Sequence, residues 1–76
     1  NPGTGQFTIA FPATQTQELT LTVTDALGRP IRTQHNMVST GNNRIPLNLS
    51  GTPAGTYFVQ LAVEQERYVR RLVIKE

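Results

Sequence analysis

Asp25, His35 and a serine at position 39 or 50 are the residues from which a nucleophile–base–acid relay could be drawn. Such a relay needs its serine presented on a strained, glycine-flanked turn of the G-x-S-x-G kind. Neither serine has that context, so His35 is expected to be an exposed histidine without a catalytic role. A glycosidase would need two facing carboxylates. Glu64 and Glu66 read instead as the outward residues of a hairpin. Asp25 has no second carboxylate nearby in sequence, and Ala26-Leu27-Gly28-Arg29-Pro30 follows it. That is a turn signal: an aspartate accepts the backbone N–H two residues on, and Gly28 takes positive φ without steric cost. The chain has no cysteine and one histidine. Disulfides, thiolate or multi-histidine metal sites and a cysteine nucleophile are thereby excluded. The glycines at 28, 41, 51 and 55 sit in turn-like contexts rather than in a phosphate-binding loop. No cofactor and no enzymatic activity are expected. Asn48-Leu49-Ser50 matches an N-glycosylation sequon, at the end of an expected strand.

The elements that carry these residues are constrained by size. Seventy-six residues allow one domain, spanning 1–76. No apolar run approaches the roughly 20 residues of a membrane-spanning helix, and a start at Asn1-Pro2 suggests a piece of a longer protein. The formal charge of +2 is a small imbalance of seven basic over five acidic residues. Its arginines, at 29, 32, 44, 67, 70 and 71, are dispersed along the chain, and most aromatics fall in apolar alternation. A nucleic-acid surface needs cations converging beside stacking aromatics, so no nucleic-acid partner is expected. A charged fraction of 16% argues against a disordered polar chain, and eleven threonines favour extended backbone.

Period-two alternation runs through the sequence and helical periodicity does not. Phe7, Ile9 and Phe11 share one face of a first strand that Pro12 is expected to end. Glu18–Thr24 is the cleanest strand, with Leu19, Leu21 and Val23 on one side and three threonines on the other. A third strand from Ile31 to about Gln34 should pair with it, while 35–38 could extend it or form an edge piece before a turn at Thr40–Asn43. Arg44–Leu49 turns Ile45, Leu47 and Leu49 inward, and Pro46 calls for an edge or a non-bonded position. After the turn-rich Ser50–Thr56, the strand Tyr57–Val63 opens on a tyrosine. This placement is similar to the tyrosine corner of Greek-key sandwiches, whose hydroxyl bonds back to upstream backbone. In the last strand, Arg67–Lys75, either Val69 and Val73 or Tyr68, Leu72 and Ile74 could face the core. Six or seven strands with about sixteen inward apolar side chains predict a small, all-β, immunoglobulin-like antiparallel sandwich of Greek-key type.

Four segments, in order, resemble the type A C-terminal sorting domain of the Bacteroidetes type IX (Por) secretion system. Asn1-Pro2-Gly3-Thr4-Gly5-Gln6-Phe7 is similar to the family's opening N-P-x-x-G-x-F. Leu21 to Arg29 resembles its strand followed by D-x-x-G-R, through Asp25, Gly28 and Arg29. Leu49 to Val59 resembles L-s-x-L-P-A-G-x-Y-f-v, through Pro53, Ala54, Gly55 and Tyr57. Arg70-Arg71-Leu72-Val73-Ile74-Lys75 is similar to the ending K-K-L-V-V-x-K. The departures are Thr24 where the family has an aromatic, Thr52 for a leucine, and no glycine at Gln65-Glu66.

The resemblance implies a secretion signal at the C-terminus of a larger cargo, recognised in the periplasm by the outer-membrane translocon. It also implies removal by a cell-surface sortase at or upstream of Asn1, with the cargo joined to a lipopolysaccharide. The implied partners are the translocon, the sortase and an N-terminal cargo domain; the domain itself neither catalyses nor spans a membrane. Arg70 to Glu76, together with the loops at Asp25–Arg29 and Pro53–Gly55, are the expected recognition surface, because a terminal strand can offer a free edge. Turn geometry alone would equally account for Gly28, Pro53 and Gly55. Two other classes fit a plain sandwich: a carbohydrate-binding or spacer module, against which the missing tryptophan speaks, and a fibronectin-like adhesion module.

Overall fold

The computed structural model describes residues 5–64 and 66–75. Among them are six strands and no helix: β1 (Gln6–Ala13), β2 (Gln17–Thr24), β3 (Pro30–Val38), β4 (Gly41–Asn48), β5 (Gly55–Val63) and β6 (Glu66–Ile74). They form a two-stranded sheet, β1-β4, and a four-stranded sheet in the order β3-β2-β5-β6, antiparallel throughout. The result is the expected all-β sandwich, with β4 returning beside β1 across the layers as a Greek key does. Hairpins β2–β3 and β5–β6 join edge to edge through β2 and β5.

Alternation explains the layering. Burial alternates along the whole of β1 and along most of β2 and β5, in β4 it is confined to Ile45 and Leu47, and sixteen apolar side chains form one core between the sheets. Leu19, Leu21, Val23, Val59 and Leu61 are fully enclosed. A slip of one residue in β2 would turn its leucines and valine outward, so burial enforces the register. In β6 the ambiguity resolves in favour of Tyr68, Leu72 and Ile74. Ile74 is buried and Leu72 packs on the core, whereas Val69 and Val73 are 61% and 42% exposed.

Two expectations about strand limits are corrected, and one left open, the extent of the third strand, is decided. Pro12 does not end β1, which continues to Ala13. The Leu49 N–H donates to the Gly5 carbonyl at 2.6 Å. Counting along the register from that bonded pair places Thr8–Pro46 and Pro12–Asn42 at non-bonded positions. Both prolines therefore lack only a donor that would have faced away from the ladder, and neither interrupts it. The third strand runs to Val38, and Gly41–Asn43 belong to β4 rather than to a turn. Only Ser39 and Thr40 cross between the sheets. The Asn43 side chain braces this corner: its Oδ1 accepts the Ser39 N–H, and its Nδ2 donates to the carbonyls of Ser39, Gly41 and Phe11.

The sandwich is closed on one side and open on the other. Along the β3/β4 side, Arg32, Gln34 and Asn36 form a polar row, in which Gln34 Nε2 reaches both Asn36 Oδ1 and the Pro46 carbonyl. Along the β1/β6 side the layers meet through a T-shaped Phe11–Tyr68 contact with centroids 5.6 Å apart. Beyond it Tyr68 and Arg70 remain exposed.

Candidate recognition site

Strand polarity gathers distant segments. β2 ends, β3 begins, β4 ends, β5 begins and β6 ends at one pole of the sandwich. The loops 25–29 and 49–54 therefore lie side by side there, next to Gly5 and to the end of β6, where Ile74 pairs with Gly55.

The first loop is built around Asp25. Its Oδ1 accepts the backbone N–H groups of Leu27 and Arg29, each at 2.9 Å, and its Oδ2 accepts Arg29 Nε at 2.8 Å. The Arg29 backbone N–H is the main cause holding the carboxyl below its ordinary value of 3.8. Burial opposes the shift, and the Arg29 guanidinium and the Leu27 amide add to it. Gly28, at φ 86°, bends the chain, and its N–H returns to the Asp25 carbonyl at 3.0 Å. Both carboxylate oxygens of Asp25 are thus engaged within its own turn, as a structural aspartate requires.

The second loop turns on two local bonds, Thr52 N–H to the Leu49 carbonyl and Ser50 N–H to Asn48 Oδ1, both at 3.0 Å. It is then anchored by Tyr57, whose hydroxyl donates to the Pro53 carbonyl at 2.7 Å from a buried ring. This is the back-bond expected of a tyrosine corner, here at the crossing from β4 in one sheet to β5 in the other.

Between the loops lies an open cleft of about 460 Å³. Asp25, Arg29, Pro53 and Tyr57 line it, together with Ile31, Arg32 and residues 48–52. Gly28 and Ala54 are exposed beside it, and Gly55 begins β5. The remaining expected residues form a second surface. Arg70, Arg71, Leu72, Val73 and Ile74 lie along β6, and Lys75 follows it. Arg70 and Arg71 pair with Val59 and Phe58 along the strand, so they flank the sheet rather than the cleft. Asn1, Pro2 and Glu76 lie outside the described residues.

Sequence reading missed Arg32 in the cleft and Arg67 on the edge. For Arg67 the signal was parity: Arg67, Val69, Arg71 and Val73 are every second residue of one strand. At the other end of β6, Tyr68 donates its hydroxyl to Glu66 Oε1 at 2.8 Å, and this bond holds the phenol above its ordinary value.

The relay candidates are not assembled. His35 lies on the outer face of β3 with Nδ1 3.2 Å from Thr20 Oγ1, and Ser39 is at the pole opposite Asp25. Among the described residues no three His, Cys, Asp or Glu side chains are grouped as a metal site. The arrangement offers rigid loops, a cleft and a strand edge, which are means of being bound. In comparison with known proteins, a family model described as the secretion system C-terminal sorting domain matches residues 1–75. No curated protein matches the chain.

Proposed function

The chain belongs to the secretion system C-terminal sorting domain family, and from that premise we propose how it is used. Membership makes it a sorting signal of type IX secretion, in a family that is not catalytic, acting for a cargo on its N-terminal side. The signal directs export to the cell surface or beyond. In our reading the folded sandwich is recognised in the periplasm by the outer-membrane translocon, and a cell-surface sortase later removes it at or before Asn1. The recognised surface comprises the β6 strand and the two loops that meet at its end.

The observation that carries this reading is the family match over residues 1–75. The position of β6 supports the choice of surface, since among the described residues it is bonded on one flank only. A free flank carries unsatisfied N–H and C=O groups that a receptor can use. The test is a reporter fused ahead of the chain, with residues 72–76 deleted and reporter measured in periplasm and medium. Retention in the periplasm is expected. Deletion also removes Leu72 and Ile74 from the core, so Leu72→Ala serves as the comparison: it weakens packing but keeps the strand. Export of Leu72→Ala with retention of the deletion supports the reading; export of both removes the strand from it.

A further inference from the structure

The β6 edge has a pattern specific enough to describe what would pair with it. Val63 pairs with Glu66 across a two-residue connection. A connection that short closes on a hydrogen-bonded pair. Alternation then makes 61/68, 59/70, 57/72 and 55/74 the bonded pairs. Arg67, Val69, Arg71 and Val73 therefore aim their backbone N–H and C=O groups away from the sheet. The same four residues place their side chains on the outer face, while Tyr68, Arg70 and Leu72 face the inner side. Read along the strand, the edge presents apolar and cationic pairs in turn: Tyr68-Val69, Arg70-Arg71, Leu72-Val73, with Arg67 ahead of them.

Among the described residues the one acid on this strand is Glu66 at its start, which accepts the Tyr68 hydroxyl and forms no ion pair with the arginines. The one ion pair among those residues is Arg29–Asp25. Both strands of the smaller sheet carry a proline on the outward flank, and β3, the other edge of the larger sheet, offers one cation, Arg32, and no apolar and cationic alternation of this kind. On β4, Pro46 has no donor and its carbonyl is taken by Gln34. On β1, Pro12 removes one of the outward donors. The nine residues of β6 contain no proline.

An arginine turned inward on an edge strand ordinarily guards against unwanted pairing. Here the guard works against the chain's own copies. Antiparallel self-pairing centred on Val69 sets Arg67 against Arg71 of the second copy. Centring it on Arg70 or Arg71 sets that arginine against itself. Like charges directly opposite are destabilising, and opposite charges are favourable.

We propose that the β6 edge takes up, as a fifth strand, an extended segment of a partner protein in which two apolar residues alternate with two acidic ones. The acids meet Arg67, Arg70 and Arg71, and the apolar pairs cover Tyr68-Val69 and Leu72-Val73. Arg70, exposed on the open β1/β6 side, and the still accessible part of Leu72 are then roofed by the incoming strand. This inference deepens the reading of β6 as the recognised strand and rests on it.

The probe is the peptide Val-Val-Glu-Glu-Val-Val-Glu, with a twin carrying lysine for each glutamate. Binding to the whole chain is followed by amide exchange and by titration. The acidic peptide should slow exchange at the N–H groups of Arg67, Val69, Arg71 and Val73. Its lysine twin should bind at least about tenfold more weakly, as expected for three charge pairs each worth a factor of about two to five. Arg67→Glu with Arg71→Glu should reverse that preference. Val69→Pro should abolish binding, because it removes an outward donor but no bond to β5. All these positions are on the exposed edge, and unchanged melting of each variant checks that the sandwich is intact. Equal binding of the two peptides, or protection on β1 or β3 instead of β6, overturns the inference. Because export of the reporter fusion is measured separately, that result would leave the sorting function standing.

Discussion

Replacing Gly5 by alanine imposes two penalties, and Gly41 allows them to be separated. Gly5 has φ 101° and Gly41 has φ 107°, so an added Cβ meets nearly the same conformational resistance at both. For a non-glycine residue that resistance is about 1–3 kcal/mol. Their surroundings differ. A Cβ at Gly41 would have no atom within 4 Å, whereas at Gly5 it would lie 2.8 Å from the Leu49 carbonyl oxygen and 3.0 Å from the Ser50 nitrogen. Both neighbours are backbone, so no side-chain rotation relieves the overlap. The chain must open there and lose the bond from Leu49 N–H to the Gly5 carbonyl. Leaving such a buried donor unpaired costs about 1–3 kcal/mol more. A chain of this size has roughly 4–11 kcal/mol in total. Gly5→Ala should therefore consume a large share of the stability and Gly41→Ala a modest one. Urea melts followed by circular dichroism, with matched slopes, give the two losses. A gap of 1 kcal/mol corresponds to a melting difference of roughly 4–8 °C. Equal losses in the two variants would refute the close-approach argument and leave Gly5 as an ordinary positive-φ glycine.

Two further perturbations probe the loops at the same pole. Tyr57→Phe keeps the buried ring but removes the bond to the Pro53 carbonyl, so thermal melts should show a loss of about 0.5–1.5 kcal/mol; no loss would reduce Tyr57 to a packing residue. For Asp25 the sign follows from its lowered folded-state value: a carboxyl depressed on folding stabilises above its unfolded value and loses that contribution as pH falls through the folded one. The stability advantage of the natural chain over Asp25→Asn should thus be full above about pH 5 and shrink below 3.8. A difference independent of pH would mean that the charge on Asp25, and its pair with Arg29, contribute nothing.

Period two carried most of the architecture, because burial on one face leaves its mark on every second residue. β2 shows this best: Leu19, Leu21 and Val23 could be assigned inward before any pairing was known. Proline was harder to read. A missing donor matters only where the ladder needs it, and whether Pro12 faces β4 or open space depends on register rather than on local sequence. Asn42 and Asn43 similarly suggested a turn by residue type, yet the Asn43 amide braces the neighbouring corner from within a strand. The turn at Asp25 and the back-bond of Tyr57 were legible because both are local chemistry, completed within four residues. That the two loops share a cleft was not, since it follows from strand directions set by pairings across the whole chain. The edge arginines were legible only in part: alternation puts Arg67 and Arg71 on one face, but that this face is the outer one, with their backbone groups pointing off the sheet, follows from the pairing with β5.

The two ends of the described chain leave from the same pole, and this governs how the molecule carries a load. Gly5 leads into one sheet and Lys75 follows the outermost strand of the other. Tension applied between them acts across the ends of the strands instead of along their length. The terminal pairs, Gly55–Ile74 on β6 and Gly5–Leu49 at the start of β1, take the full force first, and behind Gly55–Ile74 the pair Tyr57–Leu72 opens before the next is strained. A sandwich gripped from opposite poles must shear many such bonds at once and resists far more. This one unzips in sequence from its last residues toward the Val63–Glu66 turn, and closes again from that turn. The strand proposed to receive a partner is therefore also one that opens pair by pair when pulled.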